Sequence, residues 1–211
     1  MRRMRAFSLI ELLVVIGIIA LLAVVTLPGL NSTLQATQIS QGTQIVADAL
    51  ALTRQTAGAR NRPAVLRLYR YALSGELGET AGNPATGRYR ALRIFVDQGA
   101  GGLEPATSLR KLPQAAVINA GQFSSMLSGS GRADKTPSAS DLPVSGVQQS
   151  YLYQDIVINP DGVSLLAPFP ATPWTLTVHS ARSGDNATEL PPNFSTLLLN
   201  PINGTIRVFR P

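Results

Sequence analysis

With 211 residues and a formal net charge of +6, the chain has room for one apolar anchor and one soluble domain around a single core. It has no cysteine, which excludes disulfides and thiol chemistry, and its single histidine, His179, falls in a predicted strand with no Ser/His/Asp spacing or metal cluster around it. Charged residues are only 14% of the chain, and Arg2, Arg3 and Arg5 supply three of the positive charges, so the remainder carries +3 and its charge alone demands no nucleic-acid partner.

The first predicted element is an apolar helix. Phe7 to Leu27 is 21 residues, the length an α-helix needs to cross a hydrocarbon core of about 30 Å. Its one charge is Glu11, and a carboxylate inside such a span costs roughly 2.5–3.5 kcal/mol on insertion scales, so it signals a function or a waiting partner. Arg2, Arg3 and Arg5 precede the run and no charge follows Glu11 until Asp48, which sets the N-terminus in the cytoplasm and the long remainder across the membrane. A removed secretory signal would have a shorter apolar core and a small-x-small site, and none stands after Pro28-Gly29. A plain single-pass anchor explains the length and the arginines but leaves Glu11 unexplained. Glu11, one turn inside the span, could also snorkel to the cytoplasmic interface.

The helix is predicted to continue to about residue 60, roughly 80 Å in all at 1.5 Å per residue. From Ile45 apolar residues recur at Ala49 and Leu52, with Val46 and Leu50 beside them and Gln44, Asp48 and Arg54 elsewhere on the wheel. Asn61 and Pro63 supply the stop. Pro28 removes one backbone hydrogen bond and is expected to kink the helix.

Short strands follow. Ala64–Tyr69 alternates with Leu66 and Leu68 inward, and Tyr89–Val96 puts Leu92, Ile94 and Val96 on one face. Tyr151–Ile158 is closed by the turn Asn159-Pro-Asp-Gly162. Trp174–His179 places Trp174, Leu176 and Val178 together, and Phe194–Leu199, the turn Asn200–Gly204 and Thr205–Phe209 make a C-terminal hairpin. Residues 98–108 and 120–150, rich in Gly, Ser and Pro, read as loops, the second long enough to be partly disordered or to form an insertion that faces a partner.

Ala6-Phe7-Ser8-Leu9-Ile10-Glu11 and the apolar run after it resemble the processing and methylation signal of type IV pilins and type II secretion pseudopilins. The resemblance implies that a prepilin peptidase cuts between Ala6 and Phe7, that the new amine of Phe7 is N-methylated, that Glu11 serves subunit assembly, and that Pro28 is the helix kink. Ala6 stands where the family usually has Gly. The physics of Glu11 agrees: in a water-excluded site it would pair with the Phe7 amine of a neighbouring subunit and favour one axial stagger, since an unpaired buried charge is costly. The junction Ala47–Val65, with Ile94-Phe-Val-Asp97, Ile158-Asn-Pro-Asp-Gly162 and Gly204-Thr-Ile-Arg-Val208, resembles the H-type, FimT-like minor pseudopilins. Tyr89-Arg-Ala-Leu, Asn193-Phe-Ser-Thr and Arg207-Val-Phe-Arg-Pro211 are similar to the D-type family of the Verru_Chthon cassette.

The resemblance implies an α+β fold: a long N-terminal transmembrane and amphipathic helix, then an antiparallel β-rich body of two packed sheets. It divides the chain into a leader (1–6), an assembly helix (7–27), a helix extension packed on the body (28–61), and a periplasmic or extracellular domain (62–211) with a loop insertion at about 120–150. It implies an inner-membrane protein that enters a filament. Its partners would be other pilin subunits through the N-terminal helix, the prepilin peptidase and methyltransferase, and an inner-membrane assembly platform.

Against this structural role stands a binding role at a filament tip. Arg67, Arg70, Arg88, Arg90 and Arg93 interleave with Tyr69, Tyr71 and Tyr89, a pattern that can pair phosphate contacts with base stacking on DNA. The same residues also read as solvated arginines on a strand face. Catalysis finds no motif: Gly99-Ala-Gly-Gly102 is followed by no helix pattern, and Asp134, Asp141 and Asp161 lack the spacing of a calcium loop. No cofactor is expected.

Overall fold

The computed structural model describes residues 8–128, 132–163, 174–183, 189–200 and 202–210, and within the first of these the side chains of 23–32 are excepted. The chain divides into two compact units, Met1–Thr37 and Gln38–Pro211. Helix α1 (Leu9–Arg60) belongs to both.

In the first unit, every described side chain from Leu9 to Leu22 is exposed, Leu9 at 82% and Leu21 at 68%. A run of bare Leu, Ile and Val on this scale exceeds the apolar patches that monomeric soluble proteins carry, and such a surface marks a protein or membrane contact. Among the described residues no helix is long and apolar enough to cross a membrane. The expected span includes Phe7 and the side chains of residues 23–27, which lie outside the described set, as does the side chain of Pro28, where the kink was expected.

In the second unit, α1 presents Ile39, Gly42, Thr43, Val46, Ala49, Leu50, Thr53 and Ala57 to the core. The stripe contains Val46, Ala49 and Leu50 of the expected face, with Ile45 half-buried against it, while Leu52 is 40% exposed. Two threonines extend the stripe. Thr43 and Thr53 donate their hydroxyls back to the carbonyls of Ile39 and Ala49 at 2.8 and 2.6 Å, so each buries a methyl group with no polar debt. Gly42 lets the helix come close to the sheet: a Cβ there would sit 2.7 Å from the Cβ of Ala116. The helix ends where Asn61-Arg62-Pro63 predicts. Asn61 takes a φ of 49°, its N–H bonds the carbonyl of Gly58, and the N–H of Arg62 bonds that of Ala57, a Schellman closure with Asn in the left-handed position.

Among the described residues nine strands follow: β1 (Ala64–Tyr71), β2 (Arg88–Asp97), β3 (Leu103–Pro105), β4 (Arg110–Lys111), β5 (Ala116–Ile118), β6 (Leu152–Ile158), β7 (Trp174–Ser180), β8 (Phe194–Leu199) and β9 (Ile206–Phe209), with one turn of helix, α2 (Ser125–Ser128), before β6. All pairings are antiparallel, in the order β6-β1-β2-β5-β7-β8-β9, and β3 and β4 also pair with β2. The strands therefore form one hydrogen-bonded sheet where two packed sheets were expected. The join is narrow, since β2 meets β5 through the single pair Tyr89–Ile118. Residues 98–108, expected as loop, contain β3, and residues 120–150 contain α2 and two isolated bridges, Lys135–Tyr153 and Val144–Gln148.

One face of the sheet packs on α1, with Leu66, Leu68, Leu92, Ile94, Leu176 and Val178 in the main core. The opposite face of β1, β2 and β6 is also covered. Tyr69, Tyr71, Ala91, Tyr151 and Tyr153 close there with Val144 from the long connection before β6. Hence β1 is buried on both faces although its sequence alternates.

Candidate functional site

The five arginines of β1 and β2 lie along the covered part of the sheet. Arg67 is opposite Asp155 in the β1–β6 ladder, and its Nε and Nη2 donate to the two oxygens of that carboxylate at 2.8 and 3.2 Å. Its Nη1 donates to Asp141 at 2.6 Å. The guanidinium also stacks over the ring of Tyr153, 3.8 Å from the centroid, and lies 5.0 Å from that of Phe95. Burial works against its charge, yet Asp155 and Asp141 hold the Arg67 guanidinium above the usual arginine range.

Arg70 donates to Asp134 at 2.8 Å and to the carbonyls of Gly87 and Ala85. Asp134 also accepts from the Gln154 amide at 2.8 Å and from the Tyr89 hydroxyl. Burial pushes its carboxyl up, but the hydrogen bonds from Tyr89, Gln154 and Arg70 prevail and hold it below the ordinary carboxylate value. Arg88 and Arg90 converge on Glu79, whose side chain is 1% exposed and also accepts the N–H of Leu73. The β1–β2 register slips between Tyr69 and Arg70, so that Arg90 becomes the extra residue of a β-bulge. Arg93 faces Arg67 across the ladder and is half-buried.

The charges of Arg67, Arg70, Arg88 and Arg90 are thus met by carboxylates within the body. These side chains are neither a solvated strand face nor an open surface for phosphate, but cross-links that tie residues 134–141 and Glu79 to the sheet. The partners Glu79, Asp134, Asp141 and Asp155 escaped sequence reasoning, and only Asp155, within an alternating strand, carried a local signal. Asp134 and Asp141 are engaged by arginines and Asp161 accepts the N–H of Val163. Among the described residues no group of three His, Asp or Glu could hold a metal ion. His179 is buried, with Nδ1 2.9 Å from the Ser180 carbonyl and Nε2 3.4 Å from the Asn119 amide.

The other candidate region is the start of α1. Ser8 precedes the helix, its N–H points at Glu11 Oε2 at 3.4 Å, and the N–H of Glu11 donates to Ser8 Oγ at 3.3 Å. This reciprocal arrangement is a capping box, and it places a carboxylate in the first helical turn, where the helix dipole favours it. Ala6 and Phe7, the expected cleavage and methylation positions, lie outside the described residues.

Residues 1–27 match the family model of the prokaryotic N-terminal methylation motif. The motif contains Ser8, Glu11 and the exposed stretch Leu9–Leu22. No curated protein matches the chain. Among solved structures, the crystal structure of the minor pseudopilin EpsH from the type II secretion system of Vibrio cholerae is 14% identical, with a TM-score of 0.42 over 83% of this chain and 95% of that one. A second structure of EpsH from the same system is 12% identical, with a TM-score of 0.41 over 82% and 98%. At these scores no role follows from the likeness.

Proposed function

We propose that the chain is a structural, minor pilin- or pseudopilin-like subunit. A prepilin peptidase would cut between Ala6 and Phe7, the Phe7 amine would be N-methylated, and the subunit would join a filament of a type II secretion or type IV pilus-like system through its N-terminal helix. The observation that carries this reading is the methylation motif at residues 1–27, borne on a helical stretch, Leu9–Leu22, whose side chains are all exposed. A helical stretch of bare apolar side chains suits a segment that sits in a bilayer before assembly and among neighbouring helices afterwards.

In this reading the N-terminus is cytoplasmic, the body is periplasmic, and the span is 7–27 with Pro28 as a kink. Glu11 leaves its capping partner Ser8 and pairs with the Phe7 amine of a neighbour. The H-type, FimT-like character and the Verru_Chthon D-type resemblance belong to the same proposal. Mass spectrometry of the mature N-terminus tests it. A methylated Phe7 is the expected result, and an intact Met1 or a cut near residue 30 would overturn it.

A further inference from the structure

The two outer strands of the sheet are finished differently. β6 is closed by Lys135, which exchanges backbone hydrogen bonds with Tyr153 at 2.8 and 2.9 Å. β9 pairs with β8 alone among the described residues, and Val208 and Phe209 are 43% and 52% exposed. Such an edge offers a row of free N–H and C=O groups to another strand. The register places Ile206 and Val208 opposite the core residues Leu199 and Leu197, so these two lie on the core side, and Arg207 and Phe209 on the other.

Beside β9, α1 and two turns enclose a cleft of about 580 Å³ whose lining includes Ala51, Arg54, Gln55, Asp161 and Ile206. The Arg54 stem is seated between the turn glycines: a Cβ on Gly162 would lie 3.3 Å from Arg54 Nε, and one on Gly204 3.0 Å from its Cδ. Both glycines have positive φ, 83° and 64°, so each position resists a side chain on two grounds. Arg54 is nevertheless unpaired: neither it nor Arg207 nor Arg210 has a side-chain hydrogen bond or ion pair among the described residues. In the covered part of the sheet, by contrast, Arg67, Arg70, Arg88 and Arg90 are each met by a carboxylate.

We propose that β9 and the Arg54 cleft form a docking site for an extended acidic segment of a partner protein. The segment adds to the sheet beside β9 through its backbone, brings carboxylates to Arg54 on the core side, and sets apolar side chains against Phe209 on the other. The edge left open among the described residues gives the binding mode, and Arg54, which has no carboxylate partner among them, gives the sign of the partner. The site lies within Gln38–Pro211 and stands whether or not the chain enters a filament.

Fluorescence anisotropy with the full-length chain in a neutral detergent tests the proposal, the probe being a labelled eight-residue peptide that alternates glutamate with valine. Binding is expected to weaken as salt rises, to vanish when lysine replaces glutamate, and to vanish when alternate peptide nitrogens are methylated, which blocks strand pairing. Arg54→Gln, at an exposed position with circular dichroism as the check on folding, is expected to weaken binding about tenfold or more, as for the loss of a charge-assisted hydrogen bond. Arg54→Glu is expected to shift preference to the lysine peptide. Absence of binding, equal binding of both peptides, indifference to backbone methylation, or self-association of the chain through β9 in place of peptide binding would each overturn it.

Discussion

Arg67 on β1 and Asp155 on β6 are register partners, and the guanidinium closes on the carboxylate with Nε and Nη2 while its remaining nitrogen reaches Asp141. The arginine is 5% exposed and the two carboxylates 10% and 19%. A cation sandwiched between aromatic rings and two acids holds the connection before β6 down on a sheet face that would otherwise be open. The pairing explains how a chain with only 14% charged residues keeps a strongly charged strand buried.

Removal of the cation would strand both acids. Arg67→Ala is expected to lower unfolding stability by about 3 kcal/mol, the range for breaking a buried pair from one side. Denaturant unfolding followed by circular dichroism measures the loss. The triple variant Arg67→Met, Asp141→Asn, Asp155→Leu is expected to recover part of it, because it leaves no uncompensated charge behind. Equal stability of Arg67→Ala and the original chain would show that the network contributes nothing.

Acid is expected to loosen the same region. The carboxyls of Asp134 and Asp141 lie below the ordinary value: burial raises both, but hydrogen bonds from Tyr89, Gln154 and Arg70 prevail at Asp134, and those from Ser138 and Arg67 at Asp141. A depressed folded-state pKa means that the unfolded chain binds more protons near the ordinary carboxylate value. The contribution is therefore complete above about pH 4 and lost as pH falls through the lower folded values. Unfolding midpoints should stay level from pH 7 to 5 as far as these groups are concerned, then drop below about pH 4. Asp134→Asn should be less stable at neutral pH and show a shallower drop. Burial pushes the phenols of Tyr69 and Tyr71 upward, so their share is present below about pH 10 and lost as pH rises through the folded values.

How much of this was legible follows from the range of each signal. β1, β2 and β6 to β9 were readable because alternation, β-branched residues and turns such as Asn159-Pro-Asp-Gly162 are local. β3, β4 and β5 were not, because two or three residues carry no periodicity and these strands exist only by pairing with β2 or β7. The end of α1 was written in Asn61-Arg62-Pro63, and Val46, Ala49 and Leu50 of its buried stripe were readable, but Thr43 and Thr53 were not, because they look polar in sequence and satisfy themselves on their own helix. In the candidate sites, Glu11 stood out as one carboxylate in an apolar run. The fate of the arginines did not, since Asp141 and Asp134 lie 74 and 64 residues from Arg67 and Arg70.

Glu11 has two chemistries to choose between, and one substitution separates them. In the chain by itself its side chain takes part in a capping box with Ser8, a task that Gln performs as well as Glu. Pairing with the Phe7 amine of a neighbouring subunit needs the negative charge. Glu11→Gln is therefore expected to leave helix content and membrane insertion unchanged while it reduces incorporation into filaments about as strongly as Glu11→Ala. Ser8→Ala should do the reverse, loosening the first turn by about 1 kcal/mol with little effect on incorporation. The measurement is the share of subunit recovered in sheared filaments against the share left in membranes. Full incorporation of Glu11→Gln would assign the carboxylate to capping and leave the charge without a part in assembly.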